Sequence, residues 1–147
     1  MSNKVLTIIP ARLASTRLPN KPLADICGKS MIQRVYEQAI AADLGDVVIA
    51  CDSDEIANEV KKFGGQAVIT DPDFPSGTDR IWAAFKQYPK QDFEVIVNLQ
   101  GDLPNIDPEV IRAAANTALE NNCDIATVAS KIKDKSEITN PNVVKIV

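Results

Sequence analysis

The chain has 147 residues and a formal net charge of −4, with 45% hydrophobic and 24% charged residues, which suits one soluble globular domain with a sizeable core. It contains no histidine, which effectively excludes a zinc site and a Ser-His-Asp triad. A metal would be bound by oxygen ligands, which favours magnesium.

The remaining composition excludes other classes of protein. No run approaches about eighteen apolar residues, so we expect no membrane insertion. Pro10 and Arg12 interrupt the N-terminal apolar run too early for a signal peptide, which by default predicts a cytoplasmic protein. The acidic composition and the lack of a basic stripe argue against nucleic-acid binding. We interpret the separated cysteines as small buried apolar residues in a reducing compartment: Cys27, Cys51 and Cys123.

The first strand, Val5 to Ile9, runs directly into a loop that holds Arg12, Arg17 and Lys21 and no acidic residue before Leu23. Ligands of open α/β sheets bind at the carboxyl ends of strands, so three cations there predict an anion site. A phosphate-rich ligand would relieve their mutual repulsion, although each cation alone could be a solvated surface charge. Three prolines should keep this loop stiff and out of helix or inner strand: Pro10, Pro19 and Pro22.

A capping box of Ser30 and Gln33 predicts the start of the first helix. Its apolar residues recur at helical spacing and should pack against the sheet: Met31, Ile32, Val35, Tyr36, Ala39 and Ile40. The fully apolar run 47–50 predicts a buried parallel strand. Ser53 should cap the second helix, since acids follow it, lysines occupy the last turn, and two glycines end the pattern at 64–65.

The second half of the chain continues the alternation. Residues 67–69 predict a third strand, and a turn-rich loop, 71–77, leads to a helix that should direct Ile81, Trp82 and Phe85 inward. Residues 95–97 predict another buried strand. A capping aspartate, a proline and a glutamate at 107–109 predict a fourth helix. Its sheet-facing residues should be Val110, Ile111, Ala114 and Ala118.

Two apolar segments, 125–128 and 143–147, predict a fifth and a sixth strand. The alternation of strands and helices with short connections predicts one α/β domain over residues 1–147, with a Rossmann-like, mainly parallel sheet and helices on both faces. Because the chain ends on an apolar strand, we expect that it is truncated.

The loops that leave the strand ends share one edge of such a sheet, so the first loop and residues 51–53, 74–80 and 100–104 could converge. Asp102 follows a buried strand and could hold magnesium opposite the cations, or it could be a turn residue. The missing side chain of Gly101 would let a ligand approach the backbone.

Two further features have more than one interpretation. Residues 76–80 combine a glycine with backbone donors at a helix start, which suits a base edge or a phosphate, but the serine could be only an N-cap. Asp52 could bind a ribose hydroxyl, but no GxGxxG motif precedes it, so an acid in the capping region is favoured.

Residues 9–23, IPARLASTRLPNKPL, closely resemble the opening IPARxxSTRLPxKPL of the 3-deoxy-D-manno-octulosonate (Kdo) cytidylyltransferases, also called CMP-Kdo synthetases. Sialic acid cytidylyltransferases share the IPAR-type opening but diverge before RLPxKPL. Residues 76–80 (SGTDR) are similar to the segment that lines the family's cytidine pocket. Residues 98–104 (NLQGDLP) are similar to its NxQGDEP, and residues 140–145 (NPNVVK) to its NPNxVK.

The resemblance implies a fold of the nucleotide-diphospho-sugar transferase type. It also implies a reaction in which CTP and Kdo give CMP-Kdo and pyrophosphate for lipopolysaccharide biosynthesis, with Mg²⁺ as cofactor and a homodimer when the chain is full length. By resemblance, the catalytic residues would be Arg12, Lys21 and Asp102, and Asp102 would bind the metal. The substrate-binding residues would be Arg17, Ser76, Gly77, Arg80 and Gln100.

This sequence departs from the family pattern at three points. Leu103 stands where the family usually has glutamate, and Phe74 stands where histidine is common. Family members are also longer, and their further portion supplies a second magnesium-binding acid, part of the Kdo pocket and most of the dimer interface. A cytidylyltransferase for another sugar acid and a non-catalytic CTP-binding fragment are therefore alternatives, and a Rossmann oxidoreductase comes last.

Overall fold

The computed structural model describes residues 4–14 and 18–146. The strands found there are β1 (Val5–Ala11), β2 (Asp25–Ile26), β3 (Lys29–Ser30), β4 (Gly45–Cys51), β5 (Ala67–Ile69) and β6 (Val95–Asn98). The helices found there are α1 (Met31–Ala41), α2 (Asp54–Lys62), α3 (Gly77–Gln87), α4 (Pro108–Asn121) and α5 (Ser136–Thr139), with a 3₁₀ helix at Lys21–Leu23.

The central sheet is parallel and has the strand order β5-β4-β1-β6, while β2 and β3 pair antiparallel in a separate hairpin. Side chains of β1 and β4 alternate between two apolar clusters. One cluster joins Ile9 and Ile49 to α1, α2 and α4, and the other joins Ile8 and Val48 to α3. The prediction of a mainly parallel α/β sheet with helices on both faces is therefore confirmed.

The first strand extends further than the sequence predicts, because Pro10 and Ala11 still pair with β4. The carbonyl of Ile8 accepts a hydrogen bond from Leu99 on the β6 side, so the nitrogen of Pro10, two residues on, faces the same side. Pairing with β6 ends at Ile8. A missing donor at Pro10 therefore breaks no hydrogen bond, and the expectation that proline excludes an inner strand is wrong here.

Capping residues predicted the helix starts well. Ser53 accepts a hydrogen bond from Ile56 N, and Asp107 accepts one from Glu109 N. Ser30 does precede α1, but its hydroxyl makes no cap bond, and Gln33 donates to Glu37 instead. The capping box is therefore wrong, although the position of the helix is right.

Helix orientation was predicted only in part. Ile32, Val35 and Ala39 are buried on α1, but Ile40 is exposed. On α3, Ile81 is buried, Phe85 is half-buried and Trp82 is 59% exposed. On α4, Ile111 and Ala115 are buried, Ala114 and Ala118 are half-buried, and Val110 is exposed.

The sheet edge at β6 differs most from the predictions. Val95, Ile96 and Val97 are half-buried, because β6 is the outermost strand found in the described residues. Segments 125–128 and 143–146 are not strands, and Ile125 is 87% exposed; Val147 lies outside the described residues. An apolar run becomes a strand only where a neighbour satisfies its backbone groups, and these segments pair with no described strand. An open groove of about 700 Å³ separates β6 and α4 from residues 123–128.

Two remaining sequence-based expectations concern cysteines and membranes. All three cysteines are free, but only Cys51 is buried, whereas Cys27 and Cys123 are exposed. The description as buried apolar residues therefore holds for Cys51 alone. Within the described residues, no helix combines the length and the apolar character needed to cross a membrane.

Candidate active site

Two adjoining cavities lie where β1 and β6 end. The cavity beside Ser76, called the serine-side cavity, has a volume of about 210 Å³. Its lining residues are Pro10, Ala11, Arg12, Phe74, Pro75, Ser76, Gly77, Arg80 and Gln100. The cavity beside Lys21, called the lysine-side cavity, has a volume of about 220 Å³. Its lining residues are Pro10, Arg12, Lys21, Pro22, Gln100, Gly101 and Asp102.

The shared lining residues make the two cavities one cleft. Pro10, Arg12 and Gln100 border both. The structure thus brings the first loop together with loops 74–80 and 100–104, as expected from strand ends at one sheet edge, whereas residues 51–53 line neither cavity. Seven of the predicted site residues line this cleft: Arg12, Lys21, Ser76, Gly77, Arg80, Gln100 and Asp102. Arg17, the eighth, lies outside the described residues.

Lys21 and Asp102 face each other across the lysine-side cavity. The Nζ atom of Lys21 lies 3.0 Å from Oδ2 of Asp102, although the residues are 81 positions apart. The 3₁₀ helix that begins at Lys21 has Pro22 in its first turn, and Asn20 N donates to Leu13 O at its entrance. The two side chains are 36% and 52% exposed, so this ion pair contributes little to stability and leaves both groups accessible to a ligand.

Gly101 has a packing role that the sequence did not predict. A Cβ atom on this residue would lie 2.7 Å from the backbone oxygen of Pro10, which is much closer than van der Waals contact. The missing side chain lets the loop before Asp102 pack directly against the end of β1. Gly101 also borders the lysine-side cavity, so the approach of a ligand to its backbone stays a prediction.

Gln100 stands between the two cavities. Its Nε2 donates to Oδ1 of Asn98 at 2.8 Å. That bond orients the amide from the end of β6, so that Gln100 borders both cavities next to the exposed Arg12. An amide and a guanidinium so placed can bind the oxygens of a ligand that spans the cleft.

Ser76 caps α3, which agrees with its interpretation as an N-cap. Its hydroxyl accepts a hydrogen bond from Asp79 N at 3.1 Å and donates to Oδ2 of Asp79 at 2.5 Å. The cap also places the N-terminus of α3, where Gly77 is the first residue, at the cavity wall. Helix N-termini favour anionic and acceptor groups, so capping and ligand binding are compatible here.

Arg80 is used inside the protein. The residue is 3% exposed. Its Nη1 donates to Thr70 Oγ1 at 2.6 Å and to Asp71 O at 3.1 Å, and its Nη2 donates to Pro72 O at 3.3 Å. The predicted substrate-binding role is thus revised toward one in which Arg80 shapes the cavity wall, and a direct contact between Arg80 and a ligand stays a prediction.

Asp52 lies in the capping region of α2, as the favoured interpretation has it, but its carboxylate contacts the first loop and does not cap the helix. Ser53 supplies the helix cap, and Oδ1 of Asp52 accepts a hydrogen bond from Leu13 N at 3.0 Å. The neighbouring Cys51 carbonyl accepts from both Thr70 N, at 2.8 Å, and Thr70 Oγ1, at 3.1 Å. The end of β4 therefore holds the first loop on one side and loop 70–77 on the other.

Cys51 itself has no reactive thiol. Burial raises its pKa, so the thiol is protonated at neutral pH and is a poor nucleophile. It packs below the cleft as part of the apolar core.

Sequence reasoning missed Thr70 and the contact of Asp52 with the first loop. Thr70 is 5% exposed, and Asp52 acts through a backbone amide; neither lies in a motif that indicates such a contact. A polar residue directly after an apolar strand is the one signal that could have drawn attention to Thr70. The described residues include no group of three or more histidine, cysteine, aspartate or glutamate side chains placed to hold a metal ion.

A family model described as cytidylyltransferase matches residues 6–147. Several similar curated proteins carry the name 3-deoxy-manno-octulosonate cytidylyltransferase. The protein from Paramagnetospirillum magneticum is 50% identical over 97% of this chain and 58% of its own length. The protein from Brucella anthropi is 54% identical over 98% of this chain and 58% of its own length. The chain thus spans little more than half the length of these relatives.

Solved structures agree with the sequence relatives. The structure of a CMP:2-keto-3-deoxy-manno-octonic acid synthetase complexed with CTP matches with a TM-score of 0.76 and 39% identity, over 82% of this chain and 49% of that one. A cytidylyltransferase from Leptospira borgpetersenii matches with a TM-score of 0.68 and 27% identity, over 80% of this chain and 50% of that one.

Proposed function

Because this chain belongs to the cytidylyltransferase family, we propose that it binds CTP and, within a longer protein, transfers the cytidylyl group to Kdo with release of pyrophosphate. The names of relatives that are 50% and 54% identical support this activity. The observation that carries the proposal is the cleft itself, where Arg12, Lys21 and Asp102 converge beside the N-terminus of α3.

The lysine-side cavity would bind the triphosphate. Arg12 and Lys21 supply positive charge there, and the accessible ion pair with Asp102 lets the lysine exchange its partner for a phosphate oxygen. The serine-side cavity would take the nucleoside, with Gln100 between the two parts. Arg17 is a further cation of the same loop and is proposed to contact the triphosphate as well.

The reaction would be an in-line attack of the anomeric hydroxyl of Kdo on the α-phosphorus. One oxygen–phosphorus bond forms, the bond to the β-phosphate bridge breaks, pyrophosphate leaves, and the hydroxyl proton passes to solvent. Positioning and charge stabilisation supply most of the catalysis in such transfers, so no protein nucleophile is needed. Arg12 and Lys21 would stabilise the charge that develops on the phosphate oxygens.

Asp102 would hold Mg²⁺. Magnesium in nucleotide sites is usually bound by one or two carboxylates together with phosphate oxygens and water, and one accessible carboxylate at the lysine-side cavity meets that need. Since the described residues form no three-ligand group, the ion would enter with the nucleotide. When bound, it would neutralise phosphate charge. A homodimeric, cytoplasmic full-length protein belongs to the same proposal.

The test is pyrophosphate release from CTP and Mg²⁺, with and without Kdo, on this chain and on a version extended to the length of its relatives. Release that requires Kdo would support the proposal. Release with a different sugar acid would move the assignment to another acceptor, and no release from the extended version would refute the transfer reaction.

A second candidate is CTP binding without turnover. Leu103 adds no acid beside Asp102, and the chain spans 58% of the length of its relatives. This alternative predicts CTP binding by calorimetry and no pyrophosphate release from either the 147-residue chain or the extended version.

A further inference from the structure

We propose that Thr70 and Arg80 form a buried positioning pair that holds residues 71–77, one wall of the serine-side cavity, in the conformation that binds the nucleotide. The pair itself contacts no reacting atom. The inference rests on the proposed function for its ligand, whereas its structural basis is independent of that function.

The wall has few means of fixing its own conformation. Pro72 and Pro75 lack backbone donors, and the hydrogen bond found within the described loop is from Asp73 N to Oδ1 of Asp71, at 2.9 Å. Yet Phe74, Pro75, Ser76 and Gly77 all line the cavity. The shape of this wall therefore depends on groups outside the loop.

Arg80 supplies those groups from α3. Its guanidinium donates to the carbonyls of Asp71 and Pro72 at the start of the loop, and its central carbon lies 5.9 Å from the centroid of the Phe74 ring. Both contacts are of a kind that favours a cation. One buried side chain thus connects the beginning of the wall with a residue that borders the cavity.

Thr70 connects Arg80 to the sheet. Arg80 can only donate, so Thr70 Oγ1 accepts from Nη1 at 2.6 Å and gives its own proton to the Cys51 carbonyl at 3.1 Å. Among the described residues, no carboxylate forms an ion pair with Arg80. Neutral oxygens and one ring alone hold this cation, so the loss of a single acceptor should displace it.

The decisive comparison is between Thr70→Val and Thr70→Ser, since valine has a similar shape without the hydroxyl and serine keeps it. With CTP and Mg²⁺ in calorimetry, we expect Thr70→Val to raise the CTP dissociation constant about five- to tenfold. Thr70→Ser should remain within about twofold of the unsubstituted chain. Hydrogen–deuterium exchange of residues 71–79 should be faster in Thr70→Val and unchanged in Thr70→Ser.

Tyr88→Phe is the matched control. It also removes one hydroxyl, which bonds to Asp46 and Gln66, where β4 begins and away from the cleft. It should lower the thermal midpoint and leave CTP affinity unchanged, as a purely structural hydroxyl would. If Thr70→Val does not fold, Arg80→Lys replaces it in the same comparison. Lysine keeps the positive charge but lacks the two Nη donors of the guanidinium.

The outcomes are separable. A Thr70→Val protein that is less stable but retains the CTP affinity and exchange pattern of the unsubstituted chain would overturn the positioning pair, and so would failure of Thr70→Ser to restore them. If the unsubstituted chain binds no CTP, the proposed function fails, and the exchange comparison still decides whether the pair holds the wall.

Discussion

Two glycines of the cleft lie against the same proline and should respond to alanine in opposite directions. At Gly101, a Cβ atom would lie 2.7 Å from the backbone oxygen of Pro10. At Gly77, it would lie 3.5 Å from Pro10 Cγ, which is ordinary van der Waals contact. The first contact requires backbone movement, and the second requires none.

The size of each effect follows from those distances. Gly101→Ala should lower the free energy of unfolding by about 1–3 kcal/mol, the usual range for overpacking against a rigid neighbour. Gly77→Ala should raise it by about 0.4–1 kcal/mol, since alanine reduces the conformational entropy of the unfolded chain at a position that accepts it. In thermal melts of a chain this long, each kcal/mol corresponds to a shift of about 2–4 °C.

Urea unfolding followed by circular dichroism measures both variants under the same conditions. Equal destabilisation by the two substitutions would show that steric contact with Pro10 does not decide the effect. A Gly101→Ala protein as stable as the unsubstituted chain would refute the close packing of this loop on β1. Because Gly101 borders the lysine-side cavity, the same variant should also bind CTP more weakly.

Three further predictions concern other parts of the molecule. Burial, followed by the nearby Asp46 carboxylate, raises the pKa of Tyr88 from 10.0 to about 12. Between these pH values the folded state keeps a proton that the unfolded state loses, so the free energy of unfolding should fall as pH rises from 10.0 to about 12. Denaturation series over this pH range should show a smaller fall for Tyr88→Phe. Cys27 has φ +51° in the hairpin turn between β2 and β3, with a glycine after it. Asparagine adopts this left-handed conformation with less strain than cysteine, so Cys27→Asn should stabilise the chain by about 0.5–1 kcal/mol in urea unfolding. Any destabilisation would contradict this explanation. Lys21→Met should weaken CTP binding, and Asp102→Asn should abolish magnesium-dependent release of pyrophosphate from the extended protein. Both variants should have thermal midpoints within about 3 °C of the unsubstituted chain, because an exposed ion pair contributes about 0–1 kcal/mol to stability. Near-normal turnover of Asp102→Asn would exclude the metal role.

Local rules predicted the elements whose signals are local. Ser53 and Asp107 cap their helices because a short polar side chain next to free amides is enough for that contact. The orientation of α3 was less accessible. Trp82 is more apolar than Arg80, yet Arg80 is buried because its guanidinium donates hydrogen bonds to three acceptors, on Thr70, Asp71 and Pro72. Such acceptors exist only after the loop has folded, so no periodicity in the sequence reveals them.

The pairing of strands was the second feature that could not be predicted from the sequence. The run 125–128 has the composition of a strand, but its pairing depends on what lies beside β6, and that is a property of the whole sheet. The site was easier, because the resemblance placed Arg12, Lys21, Asp102 and Gln100 by motif. The contact between Lys21 and Asp102, 81 positions apart, required the fold.

The first loop and loop 70–77 are both attached to the end of β4, and the groups that attach them differ from the residues that border the cleft. Apart from Pro10 and Ala11 of β1, the residues that border the cavities lie on loops or in the first turn of a helix. The attachment instead uses the carbonyl of Cys51 and the carboxylate of Asp52. A backbone amide, as from Leu13, is available in almost any loop sequence. Loop substitutions should therefore alter the cleft while the sheet and the attachment of the loops to β4 stay as they are.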